Sequence, residues 1–201
     1  MEKFKSAVIL AGGKSTRMGF DKQLLELEGR KITEELIAKL KGRFSDVMVS
    51  SPTPQLYDPG QVRVIQDIYQ ESGPLAGIHA ALLQAQSQWV FVTACDMPYL
   101  ELAYLDFMME RLQEGSYAVC VTEREGGLEP FHAFYSRSAL PALEDCLARG
   151  RRSVNRFIRE VNALIIPEAE AAPLLPGWRA FLNLNTPEEY QKYRREGRGS
   201  S

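Results

Sequence analysis

The segment best equipped for chemistry is Leu10-Ala11-Gly12-Gly13-Lys14-Ser15-Thr16-Arg17-Met18-Gly19, followed by Asp21-Lys22. Glycines let backbone N–H groups approach an anion closely, and successive amides cradle phosphate oxygens. Ser15 and Thr16 add hydroxyls, while Lys14, Arg17 and Lys22 add positive charge, a set suited to a triphosphate. Two familiar phosphate fingerprints are absent. Gly13-Lys14-Ser15 ends like a P-loop, but the required first glycine would fall at position 8, where Val8 stands. Gly12 and Gly13 are adjacent, so there is no GxGxxG either. On spacing alone, a solvated surface turn is the competing reading.

Such a loop must be held by a frame, and the chain supplies one. Apolar runs alternate with helical periodicity, the pattern of βαβ units around a largely parallel sheet. Ala7 to Leu10 is wholly apolar, as in a central strand covered on both faces. Ile32, Leu36, Ile37 and Leu40 recur at helical spacing, and Asp46 to Ser50 reads as a second strand. Val62 to Ile65 is a brief third strand, and Leu75 to Gln86 a helix with an alanine-rich packing face. Trp89 to Ala94 is the next buried strand, with Asp96 at its carboxyl end. A helix over Leu102 to Leu112, a strand over Ala118 to Val121 and an antiparallel strand over Phe131 to Tyr135 follow. Helices near Leu140 to Leu147 and Val154 to Glu160, a strand over Ala163 to Ile166 and a helix from Pro187 complete the pattern. Ligands of open α/β sheets bind at the carboxyl ends of the strands, where the glycine-rich segment and Asp96 both fall.

Length and composition narrow the class. The chain has 201 residues, 45% apolar and 25% charged, ordinary for one globular domain, expected over residues 1–195. Residues 196–201 lack any apolar side chain and are expected to be a disordered tail. Lys plus Arg is 24 and Asp plus Glu 26, a net charge of −2 that argues against a general nucleic-acid binder. No run approaches a membrane span, and Ala7 to Ala11 is too short for a signal-peptide core, so a cytoplasmic location is expected. Three cysteines without CxxC spacing read as core packing in a reducing compartment, and two histidines make a His-built zinc site improbable.

Four stretches together resemble the molybdenum cofactor guanylyltransferases of the nucleotidyltransferase superfamily. They are the segment from Leu10 to Lys22, Ser72-Gly73-Pro74-Leu75-Ala76-Gly77-Ile78, Cys95-Asp96-Met97-Pro98-Tyr99-Leu100 and Phe181-Leu182-Asn183-Leu184-Asn185-Thr186-Pro187-Glu188-Glu189. The resemblance implies an α/β, doubly wound, mostly parallel sheet with helices on both faces, the Rossmann-like nucleotide-diphospho-sugar transferase fold. It implies transfer of GMP from GTP to the terminal phosphate of molybdopterin (the molybdenum cofactor), with pyrophosphate leaving. Transient contacts with cofactor-supplying and cofactor-receiving proteins are expected on the same basis. The alternatives are a molybdopterin cytidylyltransferase, a sugar- or alcohol-phosphate nucleotidyltransferase, or a non-catalytic nucleotide-binding regulator.

Roles follow residue by residue. Asp96, just before the turn-forming Pro98, is suited to hold Mg²⁺ against the phosphates. Lys22 and Arg17 are expected on the phosphates, with Lys22 alternatively fixing the loop or reaching the base. Leu10, Ala11, Gly12 and Gly13 are expected to line the nucleotide. Asp67 corresponds by position to the family's guanine-binding aspartate, and a carboxylate accepts well from guanine N1–H and the exocyclic amine. Where the family has a nucleotide-binding asparagine, this chain reads Val49-Ser50-Ser51-Pro52, leaving Ser50 or Ser51 to substitute. Asn185, or Asn183, is expected on the metal or acceptor side. Of the dense basic run Arg149, Arg151, Arg152 and Arg156, the pair Arg151 and Arg152 is the candidate acceptor site, with a solvated helix-flanking face as the equal alternative.

Overall fold

The computed structural model describes residues 3–12, 22–27, 29–70 and 72–197. Strand β1 (Phe4–Leu10) leads to a 3-10 turn (Lys22–Leu24) and a small antiparallel hairpin, β2 (Glu26–Leu27) and β3 (Arg30–Lys31). Helix α1 (Ile32–Lys41), β4 (Asp46–Ser50), β5 (Arg63–Ile65), α2 (Pro74–Gln84), β6 (Trp89–Ala94) and α3 (Leu102–Arg111) follow. The second half carries β7 (Val119–Arg124), β8 (Gly127–Ser136), α4 (Leu140–Ala148), α5 (Val154–Glu160), β9 (Ala163–Ile166), α6 (Glu168–Ala171) and α7 (Pro187–Gly197).

Seven strands form one sheet in the order β5-β4-β1-β6-β8-β7-β9. All run parallel except β8, which is antiparallel to both its neighbours. Side chains alternate across the strands, so each central strand feeds two cores. Ala7, Ile9, Val49, Phe91 and Phe134 face one side with α1 and α3 residues such as Leu36 and Met108. Val8, Met48, Val90, Val92 and Tyr135 face the other with α2, α4 and α5 residues such as Ile78 and Phe157. The sheet is therefore covered on both faces, as the unbroken apolar runs require. Cys95, Cys120 and Cys146 are all buried and none is in a disulfide, in line with their reading as packing residues. Among the described residues no helix is long and apolar enough to cross a membrane.

Several features differ from the sequence reading, among them the helix α6 and the extension of β7 to Arg124. The hairpin β2–β3 carries no apolar run, having only two residues per strand. Strand β8 is longer than Phe131 to Tyr135 because Pro130 and a left-handed His132 (φ 64) interrupt its alternation without ending it. The closing helix α7 runs to Gly197, and residues 198–201 of the expected tail lie outside the described residues.

At the amino-end edge of the sheet, Asp46 is buried and saturated. Its carboxylate accepts from Ser6 Oγ (2.6 Å), Arg63 Nη2 (2.7 Å) and Gln86 N (3.1 Å), joining β1, β5 and the end of α2. Asp46→Ala should therefore lower stability by about 2–3 kcal/mol, the scale for hydrogen bonds to a buried charge. Urea denaturation reads that loss, with nucleotide affinity unchanged because the network lies at the opposite edge from the strands' carboxyl ends.

Candidate active site

Beyond the carboxyl ends of β1, β4 and β6, backbone bonds carry the alignment one residue further. Ala11 N donates to Ser50 O (2.9 Å), Cys95 N to Leu10 O (3.0 Å) and Ser51 N to Ile65 O (3.1 Å). Leu10 and Ala11 are buried, so the chain offers a ligand their backbone, and Gly12 emerges exposed beside them. Gly13 and Arg17 lie outside the described residues.

Three segments distant in sequence meet at Lys22. Its ammonium donates to Asp96 Oδ2 at 2.7 Å and to Asn185 Oδ1 at 2.7 Å. Lys22 and Asp96 side chains are only 19% and 13% exposed, so solvent screens the pair weakly. Leu184 N donates to Asp96 O (2.9 Å), fixing the Asn185 segment against the end of β6. The structure thus brings Asn185 to Asp96. Asn183 turns its amide to its own segment, donating to Phe181 O at 3.1 Å.

The geometry at Lys22 depends on residues to which the sequence reading gave no role. Gln23 is buried, and its Oε1 accepts from Ser51 Oγ (2.7 Å) and Tyr57 OH (2.9 Å). That anchors the Lys22 turn to the end of β4. The Tyr190 hydroxyl accepts from Glu26 N (3.1 Å) and donates to Glu26 O, tying α7 to the hairpin after Lys22. Glu189 caps the same helix, accepting from Asn185 N (2.6 Å) and Thr186 N (2.9 Å), while Thr186 Oγ1 accepts from Glu189 N (3.2 Å). The Thr186-x-x-Glu189 spacing is a legible capping-box signal. Gln23 and Tyr190 carry no comparable signal, because their partners are remote in sequence.

On the β4–β5 side, Ser50 Oγ donates to Asp67 Oδ1 at 2.7 Å. The two serines therefore divide the work, Ser50 holding Asp67 and Ser51 holding Gln23. Burial pushes the Asp67 carboxyl above its ordinary value, and the Ser50 hydrogen bond offsets part of that rise. Gly77 of α2 leaves the room this requires: a Cβ there would sit 2.8 Å from Leu10 Cδ2 and 3.0 Å from Ser50 Oγ. Gly73, at φ 68, makes the left-handed entry that lets Pro74 open the helix.

The basic run occupies the turn between α4 and α5. Helix α4 leaves from the amino-end edge, next to the Trp89–Ser136 pair, and α5 leads back to β9 at that edge, so the turn lies at the carboxyl-end edge. Its charge is partly neutralised. Arg149 pairs with Asp145 (2.8 Å), and Glu160 takes both Arg151 (3.0 Å) and Arg156 (2.9 Å). Hydrogen bonding and charge from Arg156 and Arg151 hold the exposed Glu160 carboxyl below its ordinary value. Arg152 is exposed, with no carboxylate partner among the described residues.

Among the described residues no three His, Cys, Asp or Glu side chains cluster as a metal site. What does converge is a carboxylate oxygen and an amide oxygen, both hard donors, on the cationic nitrogen of Lys22. That donor set fits an oxygen-seeking divalent ion that takes its remaining ligands from phosphates and water.

The comparisons with known proteins concern the family and the fold. The MobA-like NTP transferase domain model matches residues 7–164. A Syntrophotalea carbinolica protein named molybdenum cofactor guanylyltransferase is 43% identical over 98% of this chain and 94% of its own. A Peptoclostridium acidaminophilum protein named "Probable molybdenum cofactor guanylyltransferase" is 38% identical over 94% of this chain and 88% of its own. The solved structure of molybdopterin-guanine dinucleotide biosynthesis protein A from Archaeoglobus fulgidus superposes with a TM-score of 0.85. It covers 96% of this chain and 99% of its own at 23% identity, a likeness of fold.

Asp67 gives this site a pH signature. A ligand that donates to the Asp67 carboxylate needs it ionised, and burial moves its protonation to higher pH than for an exposed aspartate. GTP affinity should therefore fall on acidification at a pH above the ordinary aspartate range, and Asp67→Asn should abolish that step. Calorimetric titration of parent and variant across pH 4–8 (roughly the span in which a raised carboxyl titrates) tests this, and coincident profiles would exclude Asp67 from the nucleotide site.

Proposed function

Because the chain belongs to the MobA-like NTP transferase domain family, with residues 7–164 matching it, we propose that it transfers GMP from GTP to the terminal phosphate of molybdopterin. One observation supports this most directly: Lys22, Asp96 and Asn185 meet at the carboxyl edge of the sheet, where the glycine-rich segment begins. Guanylyl transfer to the molybdenum cofactor is the activity for which the 43% identical relative is named.

The chemistry asks for positioning and charge neutralisation and for no protein nucleophile. An acceptor phosphate oxygen forms the new bond to the α-phosphorus, and the bond from that phosphorus to the β-phosphate oxygen breaks, releasing pyrophosphate. In this reading Gly12 and Gly13 present backbone amides to the phosphates, supported by Leu10 and Ala11. Lys22 and Arg17 neutralise the triphosphate. Asp67, oriented by Ser50, accepts from the guanine N1–H and amine that adenine does not present in that arrangement. Asn183, Asn185, Arg151 and Arg152 receive the acceptor phosphate. Asp96 and Asn185 would hold Mg²⁺, which supplies charge neutralisation on the phosphates. With Asp96 and Asn185 holding the ion, the Lys22 ammonium would be free to donate to phosphate oxygens.

Incubation of the purified chain with molybdopterin, GTP and Mg²⁺ should yield the guanine dinucleotide and pyrophosphate, with ATP and CTP turned over far more slowly. Asp96→Asn should remain folded yet lose transfer by on the order of 100-fold or more, the scale of a lost electrostatic contact at a developing charge. Full turnover by the folded variant would remove Asp96 from the machinery. Arg151→Ala combined with Arg152→Ala should raise the acceptor KM and leave GTP affinity unchanged, with the difference shrinking at high salt. Equal acceptor KM in the double variant and its parent would return these arginines to a solvated face.

A further inference from the structure

His132 of β8 has no part in the proposed reaction, yet its placement is costly. It is fully buried, and among the described residues neither ring nitrogen has a hydrogen-bond partner. Burial pulls its pKa down to about 3, so the imidazole is neutral at working pH and acts without charge. Its backbone is left-handed at φ 64, a conformation that gathers where a side chain must be held in place. Unpaired buried nitrogens and an unfavourable backbone together call for a role beyond filling space.

The chain leaves regular pairing to place that ring. Strand β8 stops pairing with β6 after Val92–Ala133, one residue short of His132. Against β7, Pro130 to Ala133 stand between the Thr122–Glu129 and Cys120–Phe134 pairs, where β7 supplies Val121 alone. Tyr135 OH donates to Pro130 O at 2.8 Å and closes the bulged stretch. Bulges of this kind re-aim a side chain beside a site.

The imidazole stands between the two chain segments that carry the partners of Lys22. It meets Phe91 of β6 at 5.0 Å and 88°, and Phe181 at 5.9 Å and 85°, edge-to-face in both cases. Tyr104 of α3 stacks on it at 6.2 Å, with its own hydroxyl fixed 2.6 Å from Thr122 Oγ1. Phe91, Tyr104 and Phe181 are all buried, so the ring is packed on each of these sides. Beyond Phe91, β6 leads to Asp96. Beyond Phe181, whose carbonyl accepts from Asn183 Nδ2 (3.1 Å), the chain leads to Asn185. The bond from Leu184 N to Asp96 O (2.9 Å) joins the two segments at one point, and the His132 ring spaces them at a second.

We propose that His132 is a positioning residue for guanylyl transfer, its ring spacing β6 from the Phe181–Asn185 segment and so holding Asn185 beside Asp96 at Lys22. This rests on the reading that Asp96 and Asn185 hold the metal ion. Two oxygens that share one ion tolerate little displacement. A shift of about 1 Å caused by a residue remote from the chemistry costs on the order of 100-fold in rate. Histidine also enters left-handed backbone several-fold more readily than most non-glycine residues. That preference, and not hydrogen bonding, accounts for an imidazole as the ring at this position.

The test uses the full chain with two readouts: GTP affinity by calorimetry in Mg²⁺ and in EDTA, and GMP transfer to molybdopterin. The parent should bind GTP more tightly in Mg²⁺. His132→Gly deletes the ring and suits the left-handed backbone. It should lose most of the gain from Mg²⁺ and about 10- to 100-fold in kcat, with GTP affinity in EDTA unchanged. His132→Phe keeps a ring on a backbone that suits it poorly, so it should lower Tm yet retain the gain from Mg²⁺ and most of kcat. A residue that serves stability alone gives kcat following Tm instead. Phe181→Leu should reproduce the His132→Gly losses, and the double variant should lose little more, because both act through one contact. Should His132→Gly not fold, His132→Asn, also suited to left-handed backbone and without an aromatic ring, carries the same expectation. An unaltered Mg²⁺ gain and kcat in a folded ring-deleted variant, additive losses with Phe181→Leu, or equal losses in His132→Phe and His132→Gly overturn the proposal. A parent that binds GTP equally in Mg²⁺ and EDTA overturns the metal reading and the proposal together. A parent that transfers no GMP, while His132→Gly still loses the gain from Mg²⁺, leaves the positioning role standing and overturns the functional reading.

Discussion

The ammonium of Lys22, held 2.7 Å from both Asp96 and Asn185, is the constraint on which the rest of the site depends. It joins the segment after β1, the end of β6 and the approach to α7, which are separated by up to 163 residues. Hydrogen bonds to charged groups contribute about 1.5–3 kcal/mol each when partly desolvated. The small exposure of Lys22 and Asp96 puts this pair in that regime. A lysine holds such a position only if its backbone is fixed, and Gln23 and the Tyr190–Glu26 contact supply that fixing on either side.

Two aspartates show how the same residue type is given different work. Asp46 is saturated by three donors at the amino-end edge, and its acceptor capacity is spent inside the protein. Asp67 is half-buried with one donor, Ser50, at the carboxyl-end edge, so part of its acceptor capacity is not taken up by that bond. Burial without saturation raises the cost of ionisation, and that cost is recovered when a ligand donates.

The sheet separates these two environments. Its parallel part, β5-β4-β1-β6, places successive loops at one edge, which is why Gly12, Ser50, Asp67 and Asp96 lie together. The antiparallel β8 enters beside β6 and brings its distorted stretch to the same edge from the opposite chain direction.

How much was legible in the sequence follows from the range of each interaction. The apolar runs within β1, β4, β6 and β9 and the spacing of α5 are local consequences of burial on two faces and of helical periodicity, and each lies in an element of that type. Asp96 at a strand end, the glycine-rich segment and the Thr186–Glu189 cap are likewise readable, because each is set by neighbours in the chain. The hairpin β2–β3 and the full length of β8 were not readable: two-residue strands have no period, and Pro130 with a left-handed His132 hides one. Nor could local pattern choose Asn185 over Asn183 for Lys22, or Ser50 over Ser51 for Asp67. Those choices depend on strand order and side-chain direction, which tertiary packing alone decides; between Ser50 and Ser51 a shift of one residue turns the side chain to the opposite face.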